Sequence, residues 1–426
     1  MSVKSKVFKI LYRLTLPGGL LLVISLMLIK VGVLADPNSQ LVRFFPLAVF
    51  ATGLALSAYF RRSRIFFATL VLTLADLALS AIAPHVSATV AATLTNGMAL
   101  LLPVNLVAMA FFKERGIVTY SGRKRLAGVA VQIIAVAALC LPQMATLAAR
   151  LQTEFVPSIL TSWSRLSQPA LAVFLLSTAV MMALLIRRYR AVESSLLWAL
   201  IASFVAFRIG AGPTLAGVFF ATGGLAMIVA VIETSYSMAY LDELTQLPSR
   251  RALNEALLKL PENFTIAMLD VDHFKKFNDT FGHEAGDQAL RMVASRLARI
   301  AGGGKAYRYG GEEFAVLFPG RPAEEVFVYL DRMRKVIEQS NFIVRGRDRR
   351  RGANSAGRGR KRQTSVTVSI GVASSGPEVS APAEVLRVAD QALYRAKSRG
   401  RNCTVTAKNG KAIRPVETGM RIVSVS

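Results

Sequence analysis

The chain has 426 residues, 53% of them hydrophobic, and a mean hydropathy of +0.43. That length favours two or three domains, and that hydropathy excludes an ordinary water-soluble globule. Lys and Arg number 52 against 26 acids, a net charge of +26. Such an excess raises nucleic acid as a partner, but basic loops beside membrane spans explain much of it equally well. Only Cys140 and Cys403 are present, which argues against a disulfide framework and agrees with a reducing cytoplasm.

Up to about residue 233 the sequence consists of long apolar runs broken by short basic patches; beyond it the composition is that of a water-facing domain. A helix needs roughly 20 apolar residues to cross a bilayer. Eight candidate spans follow, at 14–34, 44–60, 65–83, 91–112, 126–148, 169–186, 194–209 and 213–232. Lys4, Lys6, Lys9 and Arg13 precede the first. Alternate loops then carry Arg61, Arg62 and Arg64; Lys113, Arg115, Arg123, Lys124 and Arg125; and Arg187, Arg188 and Arg190. The intervening loops at 36–40, 84–87 and 210–212 are nearly free of basic residues, and the longest, 150–167, has Arg150 and Arg165. By the positive-inside rule both termini and the soluble half face the cytoplasm. The first apolar run has no convincing small-residue cleavage site, so a cleaved signal peptide is not expected.

Within the spans Asp76 is the acid set deepest in an apolar run. It is read either as a functional group or as one half of a helix–helix hydrogen bond to a Ser or Thr. His85 follows at the outer end of the same predicted helix and is a candidate to share a pocket with it. Lys30 can snorkel to the outer interface. Pro17, Gly18 and Gly19 predict either a kink or close packing in the first helix.

In the second half, FTIAMLDV (264–271) reads as a short apolar strand ending in acids, and 285–300 has apolar residues at helical spacing. KAYRY and FAVLF read as strands joined through Gly310, Gly311, Glu312 and Glu313. The segment 323–340 is helical, SVTVSIGVAS is a strand, and 383–399 is helical again. Alternating helices and strands around a central hairpin predict an α/β or α+β sandwich. Gly310-Gly311 suits a two-residue hairpin turn in which both residues take positive φ, and also lets a ligand approach the backbone. Glu312 and Glu313 repel one another there unless a cation holds them ionised. A solvated acidic turn is the plain alternative. LDVDHFKKFND (269–279) adds Asp270 and Asp272 at a strand end, followed by Lys275 and Asn278. Carboxylates at a strand end and a hairpin, with lysine nearby, suit magnesium carrying a nucleotide phosphate.

These residues, together with DELTQLPSRR (242–251), LDVDHFKKFNDTFGHEAGDQAL (269–290), GGEEF (310–314), SVTVSIGVA (365–373) and ADQALYRAKSRGRN (389–402), resemble the GGDEF family of diguanylate cyclases. The five blocks stand in family order across roughly 241–406. The resemblance implies a palm-like nucleotidyl-cyclase fold, with a mainly antiparallel central sheet flanked by helices, behind a helical transmembrane bundle in a bacterial inner membrane. It implies condensation of two GTP molecules into cyclic di-GMP with release of pyrophosphate, by a homodimer in which each protomer supplies one GTP. It further implies two Mg2+ ions per active site, with Mn2+ as a substitute. Asp270, the carbonyl of Val271 and Glu312 would hold metal. Asn278 and Asp287 would bind guanine, with His283 and the glycines Gly310 and Gly311 at the substrate. Lys275, Lys397 and Arg401 would neutralise phosphates, and Glu312 or Glu313 would deprotonate the attacking 3′-hydroxyl. A basic helix end complementing the dipole is the plainer account of Lys397 and Arg401.

The expected organisation is a membrane sensor at 1–232, a helical linker at 233–241, the cyclase domain at 242–408 and a tail at 409–426. Three departures from the family pattern stand out. Gln246 and Ser249 replace the usual Gly and Asn. The position of the RxxD product-inhibition motif reads Ala301-Gly302-Gly303-Gly304, and Arg387-Val388-Ala389-Asp390 lies elsewhere, so that mode of inhibition is not expected. Finally, an insertion at 345–362 has nine basic residues and one acid. It is expected to be disordered, either solvated or adhering to anionic lipid; without interleaved aromatics, nucleic acid is not expected. Two competing functions remain, a non-catalytic nucleotide receptor and a transporter-like membrane protein with a regulatory GGDEF domain.

Overall fold

The structure is a computed structural model that describes residues 10–33, 40–157, 159, 161, 163–164, 166–209, 213–340, 342–344, 362–408 and 411–412. It divides into two compact units, Met1–Ser235 and Tyr236–Ser426.

The first unit is helical: α1 (Gly18–Lys30), α2 (Gln40–Tyr59), α3 (Ser63–Leu77), α4 (Ala88–Phe111), α5 (Tyr120–Leu139), a short α6 (Ala145–Ala149), α7 (Gln168–Arg188), α8 (Ala191–Ile209) and the start of α9 (Pro213–Tyr240). Among the described residues seven helical segments are long and apolar enough to cross a membrane, the first of them Ile10–Lys30, which includes α1. The expected fifth span, 126–148, is not one straight helix. Its chain bends by 88° between Tyr120–Leu139 and Pro142–Gln152, and only if that pair counts as one span does the number reach eight. The cause is local: proline disfavours helical backbone in the residue before it, and Leu141 is extended (φ −73°, ψ 143°). The expected seventh span, by contrast, is a continuous helix, Ala191–Ile209.

Phe50, Phe67, Leu72, Leu102, Phe219 and Phe220 are fully buried in this unit, whereas Leu26, Ile134, Leu175 and Leu176 point outward. Trp198 lies so close to α1 that a Cβ on Gly18 or Gly19 would fall 2.4 or 2.8 Å from its ring, which bears out the close-packing reading of the glycines. Asp76 is buried and its Oδ1 accepts no hydrogen bond; the expected Ser or Thr partner for that oxygen is not there. His85 is exposed, and Lys30 closes α1 at the surface.

The second unit is built on a six-stranded sheet of order β2-β3-β1-β6-β7-β8, with β1 (Phe264–Val271), β2 (Lys305–Arg308), β3 (Glu313–Pro319), β6 (Val368–Ser374), β7 (Thr404–Lys408) and β8 (Lys411–Ala412). All neighbours are antiparallel except β6 and β7. β1 is buried along its whole length, Thr265 and Asp270 included, as befits a mostly apolar run at the centre of a sheet. One face of the sheet packs on α11 (Phe274–Phe281), α12 (His283–Leu297) and α13 (Ala323–Glu338) through Leu269, Phe314, Val293 and Leu330. The other packs on α10 (Arg250–Leu257) and α14 (Pro382–Ser398) through Met268, Ala315, Leu253 and Leu393. A separate ribbon of β4 (Phe342–Val344) and β5 (Arg362–Thr364) flanks the basic insertion, of which 345–361 lie outside the described residues. Both cysteines are free.

Candidate functional site

The site is assembled where the end of β1 meets the β2–β3 turn. The register places Asp270 opposite Glu313 on one side and Ser369 on the other. The turn is not the expected two-residue form. Tyr309 N and Gly310 N both donate to the Glu313 carbonyl, at 2.9 and 3.2 Å, which leaves Gly310, Gly311 and Glu312 as the loop. Neither glycine has positive φ. A Cβ on Gly310 would lie 2.7 Å from Glu313 Oε2, the mobile end of a side chain that can swing aside, while Gly311 faces open space.

Arg308, which sequence reasoning passed over, fixes this loop. Its Nε donates to the Gly310 carbonyl (3.1 Å), its Nη2 to the Gly311 carbonyl (2.6 Å), and its Nη1 to Asp242 Oδ1 (2.7 Å). Asp242 also accepts from the backbone N and hydroxyl of Thr245. Burial alone would raise the Asp242 carboxyl; the bonds from Thr245 and Arg308 outweigh it and hold the group below the usual carboxylate range. The family-atypical Gln246 sits at φ +61°, a region that favours glycine, and its Nε2 compensates by donating to the carbonyls of Asp242 and Glu243.

Asp270 is 5% exposed and its Oδ2 lies 2.8 Å from Lys397 Nζ, in the last turn of α14. Burial pushes the Asp270 carboxyl up, against the pull of Lys397. Glu312 is also pushed up, first by burial and then by the charge of Asp270. Two neighbouring carboxyls that both resist ionisation are residues that could hold a cation, beside the one Lys397 already supplies to Asp270. The Val271 carbonyl belongs to the same strand end, and Val271 N donates to the Glu312 carbonyl at 3.3 Å. Asp272 is not part of this set. It accepts from Thr367 Oγ1, Ser369 Oγ and Asn402 N at 2.7, 2.6 and 3.0 Å, so its carboxylate is committed to holding β6 and the start of β7.

A second group lies on α11 and α12, joined by Gly282 at φ +85°. Asn278 Oδ1 is buried and has no partner. It fits only because residue 286 is glycine, whose Cβ would stand 1.9 Å from that oxygen. Asp287 and His283 lie exposed on α12, and Lys275 is exposed on α11. Arg401 is exposed just beyond α14, at φ +65°. Gly302 and Gly303, which stand in the RxxD position, take positive φ in the turn before β2.

Residues 239–403 match the family described as "Diguanylate cyclase, GGDEF domain". The chain is 35% identical over 183 residues to the response regulator PleD of Caulobacter vibrioides, covering 41% of this chain and 37% of that protein. It is 31% identical over 234 residues to the probable diguanylate cyclase DgcF of Escherichia coli K12, covering 50% of this chain and 70% of the relative. The chain thus spans little more than a third of PleD but most of DgcF. Among solved structures it is similar to the coiled coil and GGDEF domain of DgcB from Caulobacter crescentus in complex with c-di-GMP. That match is 34% identical, covers 41% of this chain and 90% of that one, and has a TM-score of 0.36.

Proposed function

Because this chain belongs to the GGDEF family of diguanylate cyclases, we propose that its second unit condenses two GTP molecules into cyclic di-GMP, releasing two pyrophosphates, at the site around Asp270 and Glu312. The observation that carries this reading is the meeting of the two raised carboxyls of Asp270 and Glu312 with Lys397 at the end of β1. Magnesium held by Asp270, the Val271 carbonyl and Glu312 would neutralise triphosphate charge and acidify the attacking hydroxyl. Asn278 Oδ1 offers an unused acceptor to the guanine edge, with Asp287 on the next helix. Lys275, Arg401 and Lys397 supply positive charge for phosphate oxygens that become more negative as each 3′-oxygen attacks an α-phosphorus. Since Glu312 shares its electrostatics with Asp270 and Lys397, it is the metal-side acid, which leaves Glu313 to take the hydroxyl proton. Each protomer of a homodimer would present one bound GTP to the other, the alignment such an in-line reaction needs.

Seven apolar helices among the described residues, with outward-facing leucines, support a membrane-embedded first unit; with the bent pair Tyr120–Gln152 counted as an eighth crossing, the basic loops support a cytoplasmic second one. Full-length protein incubated with GTP and Mg2+ should yield cyclic di-GMP by mass spectrometry. Glu313→Gln should lose turnover while retaining Mg2+-dependent GTP binding, and Glu312→Gln should lose that metal dependence. A well-folded wild-type dimer that binds GTP and makes no product would favour a nucleotide receptor instead.

A further inference from the structure

The first unit contains a groove between the C-terminal end of α4 and the N-terminal end of α5, with a volume of about 530 Å³. Its two ends differ in chemistry. Val104, Ala108, Phe112 and Val129 give it an apolar floor, and Lys113, Arg115, Lys124 and Arg125 crowd one rim. The single acid of that loop is turned away: Glu114 accepts from Ser63 Oγ at 2.7 Å and Arg64 N at 3.2 Å. Arg125 is held in place, donating to Ser63 Oγ and to the Lys113 carbonyl, with its guanidinium 4.6 Å from the Phe112 ring centre. Among the described residues Lys113, Arg115 and Lys124 form no ion pair. At the deep end Asn105 and Gln132 satisfy one another through reciprocal amide bonds of 2.7 and 3.3 Å, so the floor asks nothing polar of an occupant.

We infer that this groove binds an anionic phospholipid, its phosphate on the basic rim and an acyl chain along the apolar floor. The inference rests on the membrane reading above, in which this loop faces the cytoplasm and meets the inner leaflet. A free phosphate would use the rim and leave the floor empty. A neutral lipid would use the floor and leave at least three cations unneutralised. Only an amphiphile with an anionic head uses both, and basic pockets between spans on the cytoplasmic side are where such heads bind. The groove is distinct from the basic insertion at 345–362, which belongs to the other unit.

The test is native mass spectrometry of full-length, detergent-extracted protein with added phosphatidylglycerol or phosphatidylcholine of matched chains. Wild type should retain phosphatidylglycerol preferentially. The triple variant Lys113→Gln, Arg115→Gln, Lys124→Gln leaves the anchored Arg125 in place and should retain about 100-fold less. Gly128→Leu addresses the tail: nothing lies within 4 Å of a Cβ there, so the new side chain enters the groove without moving backbone. Loss in both variants, at unchanged thermal midpoints, supports the site; wild-type retention in either overturns it. Glycerol phosphate that displaces the lipid at equal concentration would also overturn it, because the site would then be one for soluble phosphate. Release of the wild-type chain from membranes by alkaline carbonate would sink the membrane reading itself, a separate outcome.

Discussion

Lys397 Nζ lies 2.8 Å from Asp270 Oδ2, joining the last turn of α14 to the end of the central strand. The Asp270 side chain is 7% exposed and that of Lys397 33%, so the pair is unevenly buried. Removing the lysine leaves a buried carboxylate without its neighbouring cation. Lys397→Met should therefore destabilise the metal-free protein by about 2 kcal/mol, below the cost for a fully buried pair because the lysine is partly solvated. Thermal unfolding in EDTA measures this, and excess Mg2+ should recover much of the loss. Turnover should fall about 100-fold and should not recover, since phosphate charge loses a partner at the moment it develops.

The two raised carboxyls fix a sign for pH dependence. Asp270 and Glu312 both titrate above their ordinary values of 3.8 and 4.5. Between those values and the raised folded ones, the folded state binds more protons than the unfolded. Their contribution is thus fully present at low pH and is lost as pH rises through the folded values. In metal-free protein this site accordingly opposes folding at neutral pH. At the proposed metal site Mg2+ would compete with protons for the same oxygens, so its stabilising increment should be larger at pH 8 than at pH 5. Equal increments at the two pH values, measured as midpoint shifts between EDTA and saturating Mg2+, would remove the electrostatic basis of the proposed metal site.

Asn278 shows a compromise between stability and binding. A buried, unpartnered acceptor costs free energy in the empty protein. Asn278→Ala should leave stability unchanged or raise it by about 1 kcal/mol, while weakening GTP binding at least tenfold. Gly286→Ala should weaken GTP binding too, by a different route: its Cβ would stand 1.9 Å from Asn278 Oδ1 and must displace the amide or the helix. Isothermal titration with GTP in Ca2+, together with melting curves, separates the two. A Gly286→Ala protein that binds normally would show that the Asn278 position is irrelevant to guanine.

How much of this could be read in advance depended on whether the signal was local. FTIAMLDV declared itself a strand through its short, mostly apolar run, and the acids at its end marked the candidate site; that it is the central strand, buried at all eight positions, emerged only from its pairing with β3 and β6. The bend at Pro142 escaped a hydropathy count, which weighs composition and is blind to the backbone restriction a proline places on Leu141. β7 carries the unremarkable sequence TVTAK and owes its strand form to parallel pairing with β6. Arg308 precedes the glycines by one residue, Tyr309, but its value depends on Asp242, 66 positions away. Asp272 looked like a twin of Asp270 until Thr367, Ser369 and Asn402, each more than 90 residues on, claimed its oxygens.

The first unit offers a test of a different kind. Glu193 is fully buried, and its Oε1 is 3.2 Å from both Arg64 Nη2 and Arg188 Nη1. Both guanidiniums also donate to the end of α4, Arg64 to the carbonyls of Met109 and Ala110 and Arg188 to that of Ala110. One carboxylate thereby joins the N-terminal ends of α3 and α8 to the C-terminal ends of α4 and α7. Glu193→Gln keeps the shape and removes the charge, leaving two cations against one amide and a negative helix end. The expected cost is about 3 kcal/mol, read as a lower thermal midpoint in detergent. Arg64→Met should cost more than Arg188→Met, because the Arg64 side chain is 8% exposed and that of Arg188 33%. The reverse order would mean that the pair at the better-solvated arginine holds the four helix ends, and that burial does not set the strength of this junction.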